Sequence, residues 1–154
     1  MDTAKGAGST TTPLLADASA LVAYLVPGQE AHAEIGVFLA TVRDGLVTTS
    51  PAFTEAMHLV YRLRGYEGQR ALWALRRTGP LEIANPEWDR SEALMRQYRD
   101  TPMDLADATL VALAEERGDR TILTLDEHFL IYRVRRGRQH QPLRVVPNSG
   151  QARP

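Results

Sequence analysis

Five acidic residues set what this chain can do chemically: Asp17, Glu55, Asp104, Asp107 and Asp126. Asp17 and Asp126 each close a short apolar run, Pro13 to Ala16 and Thr121 to Leu125. Asp104 and Asp107 stand three residues apart in the Ala- and Leu-rich stretch Met103 to Glu116, so a helix there puts both on one face. Like charges in that arrangement repel, and carboxylates gathered beside apolar residues need a cation. All-oxygen ligands suit Mg²⁺ or Mn²⁺. They suit Zn²⁺ poorly, because the chain has no Cys and its four His, at 32, 58, 128 and 140, show no ligand spacing. A carboxylate-held Mg²⁺ can lower the pKa of a bound water and neutralise a phosphodiester oxygen during in-line attack. That is hydrolytic phosphodiester chemistry without a protein nucleophile. Plainer roles compete at each position: Asp17 or Ser19 as a helix N-cap, Glu55 as first-turn dipole chemistry, and Asp104 as a cap.

For these acids to meet, the chain must bring several elements to one edge. Pro13 to Ala16 reads as a buried strand followed by a helix at Ala20 to Leu25, and Gln29 to Arg43 as a second helix with Ala33, Val37 and Ala40 on one face. Leu46 to Thr49 is β-leaning, Ser50 and Pro51 cap a helix over Ala52 to Arg64, and Gly65 to Thr78 is another helix. Leu81 to Ile83 is a brief strand. Asn85 and Pro86 open a helix through Arg99, with Trp88, Leu94, Met95 and Tyr98 as its inner face; Trp73 is likewise expected to pack. The Met103 helix starts after Pro102 and stops at Gly118, Thr121 to Leu125 is a buried strand, and Leu143 to Val146 is the last strand. Strands alternating with helices, with no tight hairpin signal, predict an α/β fold: a three-layer α/β/α arrangement around a mainly parallel sheet of about five strands. In such a sheet the carboxyl ends share one edge, which places Asp17, Glu55 and Asp126 together. The helix leading into the Asp126 strand would deliver Asp107 or Asp104.

A chain of 154 residues, 44% hydrophobic and 24% charged, fits one soluble globular domain over residues 13–147, between a Gly-, Ser- and Thr-rich tail at 1–12 and a short tail at 148–154. The absence of Cys excludes disulfides and thiolate metal sites. No apolar run approaches the roughly 18 to 20 residues of a membrane span and the start has no apolar signal core, so a cytoplasmic protein without membrane contact is expected. Charge is unevenly spread. Met1 to Glu127 carries 19 acids against 12 Lys and Arg, a charge of −7, whereas His128 to Pro154 carries six Arg and no acid. An acidic body with a basic C-terminal segment could hold cations in one place and phosphates in another.

Asp17-Ala18-Ser19 after a strand, Glu55 in a helix after the second strand, Asp107-Ala108 leading to Leu110 in a helix, and Thr124-Leu125-Asp126-Glu127-His128-Phe129 together resemble the PIN-domain fold, over about residues 13–147. The toxins of VapBC toxin–antitoxin pairs are the nearest likeness. The resemblance implies a metal-dependent endoribonuclease. In that reading Asp17 and Asp107 hold Mg²⁺, with Mn²⁺ as a substitute, Glu55 and Asp126 complete the metal site, and Ser19 and Thr124 orient carboxylates or water. Asp104 matches a further acid found in many relatives. The same resemblance implies an RNA substrate, a cognate antitoxin and a homodimer, and it gives the Arg-rich segment Arg133 to Arg138 a purpose: holding phosphates that the carboxylates repel.

Other phosphoryl-transfer folds fit less well. A receiver domain needs a late Lys, yet Lys5 is the only one; a haloacid-dehalogenase-type phosphatase needs an Asp where Ser19 stands. No Gly-rich phosphate loop ending in Lys is present. The rival from another class is a non-catalytic PIN-like module that binds RNA or antitoxin.

Overall fold

The computed structural model describes residues 12–148, so the tails read from the sequence fall outside it apart from Thr12 and Asn148. Five short strands form one sheet: β1 (Leu14–Ala16), β2 (Leu46–Thr49), β3 (Leu81–Ala84), β4 (Thr121–Leu123) and, last in the chain, Arg144–Val146. Their order is β3-β2-β1-β4 and then the last strand, and every pairing is parallel. A central strand of such a sheet is covered on both faces, which is why β1 is a short apolar run and β2 is buried at all four residues, Leu46 to Thr49. Leu15 packs with Val47 and Ile122 on one face, while Ala16 packs with Leu46 and Leu123 on the other. The period of two thus splits the interior into two cores.

One face is covered by α1 (Ala18–Leu25), α2 (His32–Leu39) and α3 (Ser50–Thr78). The other is covered by α4 (Trp88–Gln97) and α5 (Leu105–Arg117). The element that matters most is α5. Its nine residues Ala106 to Ala114 are all buried, which the run of Ala allows because small side chains let strands and α4 approach from several sides. Asp104 caps its start, with Oδ1 accepting from the Asp107 backbone N–H at 2.8 Å, and Gly118 ends it in the left-handed region at φ 63°.

Several sequence expectations change. The second helix is His32–Leu39, shorter than Gln29 to Arg43, and Ile35 is its buried residue; Ala33, Val37 and Ala40 are exposed because the helix packs through Ile35, Phe38 and Leu39 instead. On α4, Ser91 and Leu94 are buried and Tyr98 packs just beyond its end, but Trp88 and Met95 are exposed: Trp88 is the first residue of the helix and Met95 lies off the buried stripe. Trp73 is also partly exposed, against the edge of Phe53 at 5.3 Å between ring centres. The Arg-rich segment forms a hairpin, β5 (Arg133–Arg136) and β6 (Gln139–Pro142), before the last strand, β7 (Arg144–Val146). The two helices expected on either side of Gly65 are both present, joined end to end within α3 across a kink at Gly65, whose backbone is not helical.

Candidate active site

The three strands β2, β1 and β4 are neighbours, so the residues just beyond their carboxyl ends are brought side by side at one edge. Asp17 comes directly after β1 and occupies the N-cap position of α1, yet its side chain makes no capping bond. It is spent elsewhere: Oδ2 accepts from Ser19 Oγ at 2.8 Å and from Thr124 Oγ1 at 2.9 Å, 107 residues away. Each hydroxyl is fixed in turn by an amide. Leu125 N–H donates to Ser19 Oγ and Asp126 N–H to Thr124 Oγ1, both at 3.0 Å. The loop after β4 is therefore stitched to the start of α1. Asp126 itself accepts from the His128 backbone N–H at 2.9 Å and lies 2.8 Å from His128 Nδ1.

Glu55 and Asp107 arrive on helices. Thr49, the last residue of β2, caps α3 through the Ala52 N–H, and its hydroxyl also meets Thr109 Oγ1 at 2.7 Å. That buried pair ties the start of α3, which carries Glu55, to the first turns of α5, which carry Asp107. Asp107 Oδ2 accepts from the Tyr132 hydroxyl at 2.9 Å. The same hydroxyl also reaches the Pro102 carbonyl, so one phenolic proton serves two acceptors. Tyr132 is fully buried, with Tyr98 and Phe129 edge-on to its ring. It is the residue that the sequence did not flag. Its partner lies 25 positions earlier, and no local spacing announces the contact.

The electrostatics agree that the five acids share one field. Burial pushes the Asp17 carboxyl above the usual range, against the two hydroxyl bonds that hold it down. Burial first, then the charges of Asp104, Asp17 and Asp126, push Glu55 up to about 7. Asp107 rises to about 8, through burial first and then Asp104, against the Tyr132 hydrogen bond. None of the ion pairs made by Arg side chains among the described residues reaches these acids. In donor type and in charge the cluster fits a hard divalent cation. In spacing it is looser: among the described residues no three Asp, Glu or His side chains stand at metal-holding distance.

The Arg-rich segment starts beside the site, Arg133 following the Tyr132 that holds Asp107, and then runs away from it. The Arg135 backbone N–H donates to Glu115 at 2.8 Å, eight residues and so roughly 12 Å along α5 from Asp107. The hairpin tip at Gly137 shares a depression with Gly118, Asp119 and Arg120, at the opposite edge of the sheet. Glu115 is held by Arg90 through two bonds of 2.7 and 2.9 Å, which outweigh its burial and keep its carboxyl low. The segment folds this way because Val134 is buried in the core against α5, which carries the Arg residues along with it.

Comparison with known proteins agrees with the geometry. The PIN domain family model matches residues 14–136. Ribonuclease VapC26 of Mycobacterium tuberculosis is 32% identical over 120 residues, spanning 75% of this chain and 89% of that protein. Among solved structures, Mycobacterium tuberculosis VapC20, described as a sarcin–ricin loop cleaving toxin, is similar with a TM-score of 0.68 at 18% identity, covering 74% of this chain and 90% of that one. FitAcB from Neisseria gonorrhoeae is similar with a TM-score of 0.54 at 17% identity, covering 75% of this chain and 88% of that one.

Proposed function

Because this chain belongs to the PIN domain family and is of the VapC toxin type, we propose that its acidic edge is the active site of a Mg²⁺-dependent endoribonuclease, the toxin of a VapBC-type pair. One observation carries the reading: five carboxylates from four segments of the chain converge on one edge, and among the described residues no Arg forms an ion pair with them. In this reading Asp17 and Asp107 hold Mg²⁺ or Mn²⁺, and Glu55 and Asp126 complete the set. A cation bound there supplies charge against the phosphodiester and acidity to water. The chain's own residues do the rest. Ser19 and Thr124 hold the Asp17 carboxylate in one rotamer, Tyr132 holds that of Asp107, and the Thr49–Thr109 pair fixes the helix carrying Glu55 relative to both. Such fixed ligands lower the reorganisation needed when substrate arrives. Asp104, spent on its cap through Oδ1, lines the approach to Glu55.

The substrate is RNA, and a cognate antitoxin restrains the activity in the cell; the chain acts as a homodimer. The purified protein should cleave members of a structured RNA panel in Mg²⁺, and Asp17→Ala or Asp107→Ala should each lose at least about 100-fold in rate, more than the loss of a ligand's hydrogen-bond partner would cost. Cleavage that persists in EDTA, or survives both substitutions, contradicts the assignment. RNA binding without cleavage would point instead to the non-catalytic module.

A further inference from the structure

Trp88 opens α4 with 59% of its surface exposed. Single exposed aromatics are ordinary, and Tyr61, Tyr66 and Trp73 are others on this protein. What separates Trp88 is its place. It lines an open groove of about 640 Å³ together with Pro51, Thr54, Leu105 and two of the site's own carboxylates, Glu55 and Asp104. On the other flank of the acids a second groove, about 380 Å³, is lined by Thr124, Asp126, Leu130, Arg144 and Asn148. The acidic edge thus lies between two grooves, each sharing residues with it.

A strand with a phosphodiester at the acids must lay its neighbouring nucleotides into these grooves. Among the described residues the Trp88 groove has no cationic side chain on its lining to hold a phosphate, while Trp88, Pro51 and Leu105 offer apolar surface. The part of a nucleotide that fits is therefore its base, face-on to the indole. We propose that Trp88 is the stacking platform for one unpaired base of the RNA, the base of a nucleotide flanking the scissile phosphodiester. The proposal rests on the ribonuclease reading, and it assigns the substrate an unstacked residue at that position. The second groove, with Arg144 on its wall, takes the more polar side of the strand. Stacking accepts any base, so this subsite selects for single-stranded character more than for sequence.

The test uses the full chain carrying Asp107→Asn to block cleavage and Trp73→Phe, which leaves Trp88 as the sole indole. A short single-stranded RNA should quench its fluorescence on binding. Adding Trp88→Ala should raise Kd by about 5- to 150-fold, whereas Trp88→Phe stays within about threefold. An abasic position next to the cleavage point should weaken binding by a similar factor and cost nothing further in Trp88→Ala. Binding that leaves the indole emission unchanged, or that Trp88→Ala does not weaken, overturns the proposal. So does a Trp88→Ala protein that changes only its oligomeric state, since a second copy of the chain would then be what covers the groove. If RNA is bound and cleaved normally and only Trp88 is silent, the stacking subsite alone fails; if the wild-type protein neither binds nor cleaves RNA, the ribonuclease reading falls and the subsite with it.

Discussion

Asp107 is where stability and chemistry pull apart. Its carboxyl rises to about 8, and that of Glu55 to about 7, so the metal-free fold favours their protonated forms relative to the unfolded chain. Above the ordinary carboxylate range the unfolded state binds fewer protons than the fold, so this contribution to stability is full below about pH 4 and is lost progressively as pH rises to about 8. In EDTA the melting temperature should therefore fall between about pH 5 and about pH 8, and Asp107→Asn, which keeps an acceptor for Tyr132, should melt a few degrees (about 2–8 °C) higher than the wild type at about pH 8 while losing activity. A variant that melts lower there would show that the carboxylate is not under repulsion. The acids themselves could be found from sequence, because each sits where a short apolar run stops or a helix starts. Tyr132 could not: its role depends on a turn that folds back across 25 residues to Asp107.

At the scale of elements, the site depends on how helices are anchored at the carboxyl edge. Strand and helix order was readable, since each parallel strand carries a short apolar or β-branched run between helical stretches and α5 is bounded by Pro102, Asp104 and Gly118. The hairpin of β5 and β6 was not. Its strands are polar or charged except at Val134, and its turn lacks an Asn-Gly or Asp-Gly pair, so it looks like a solvated charge run. The stripe on α2 was misplaced for a related reason: in a helix of eight residues, Ile35 and Val37 imply different faces, and only packing against the core chooses between them. The kink of α3 is set by Gly65, at φ 64° and ψ −151°, a conformation essentially closed to other residues, although a Cβ there would touch nothing. Gly65→Ala should cost about 1–3 kcal/mol in urea unfolding through backbone strain alone. An unchanged midpoint would mean the kink is free to straighten.

Over the whole molecule, charge is sorted by edge. The acids face the carboxyl edge, and the hairpin carries Arg135, Arg136 and its Arg138 turn along α5 to the amino edge. Net charge near zero hides this polarity, and linear sequence could report that basic residues come after the last acid but not which end of α5 they reach. Charge reversal at Arg136 and Arg138 should accordingly leave cleavage of a short single-stranded RNA within about twofold, because the hairpin meets α5 at Glu115, roughly 12 Å along the helix from Asp107 and so past a screening distance of roughly 10 Å. A loss of tenfold or more would place them at the scissile strand after all. The proposed reaction requires that the acidic edge hold a divalent cation. Titration of Mn²⁺ into the full chain, with electron paramagnetic resonance of the free ion as the readout, tests that directly. Wild type should bind, Tyr132→Phe should bind about 10-fold more weakly, and Asp107→Ala weaker still, by at least about 100-fold. Equal binding by the wild type and Asp107→Ala would contradict it.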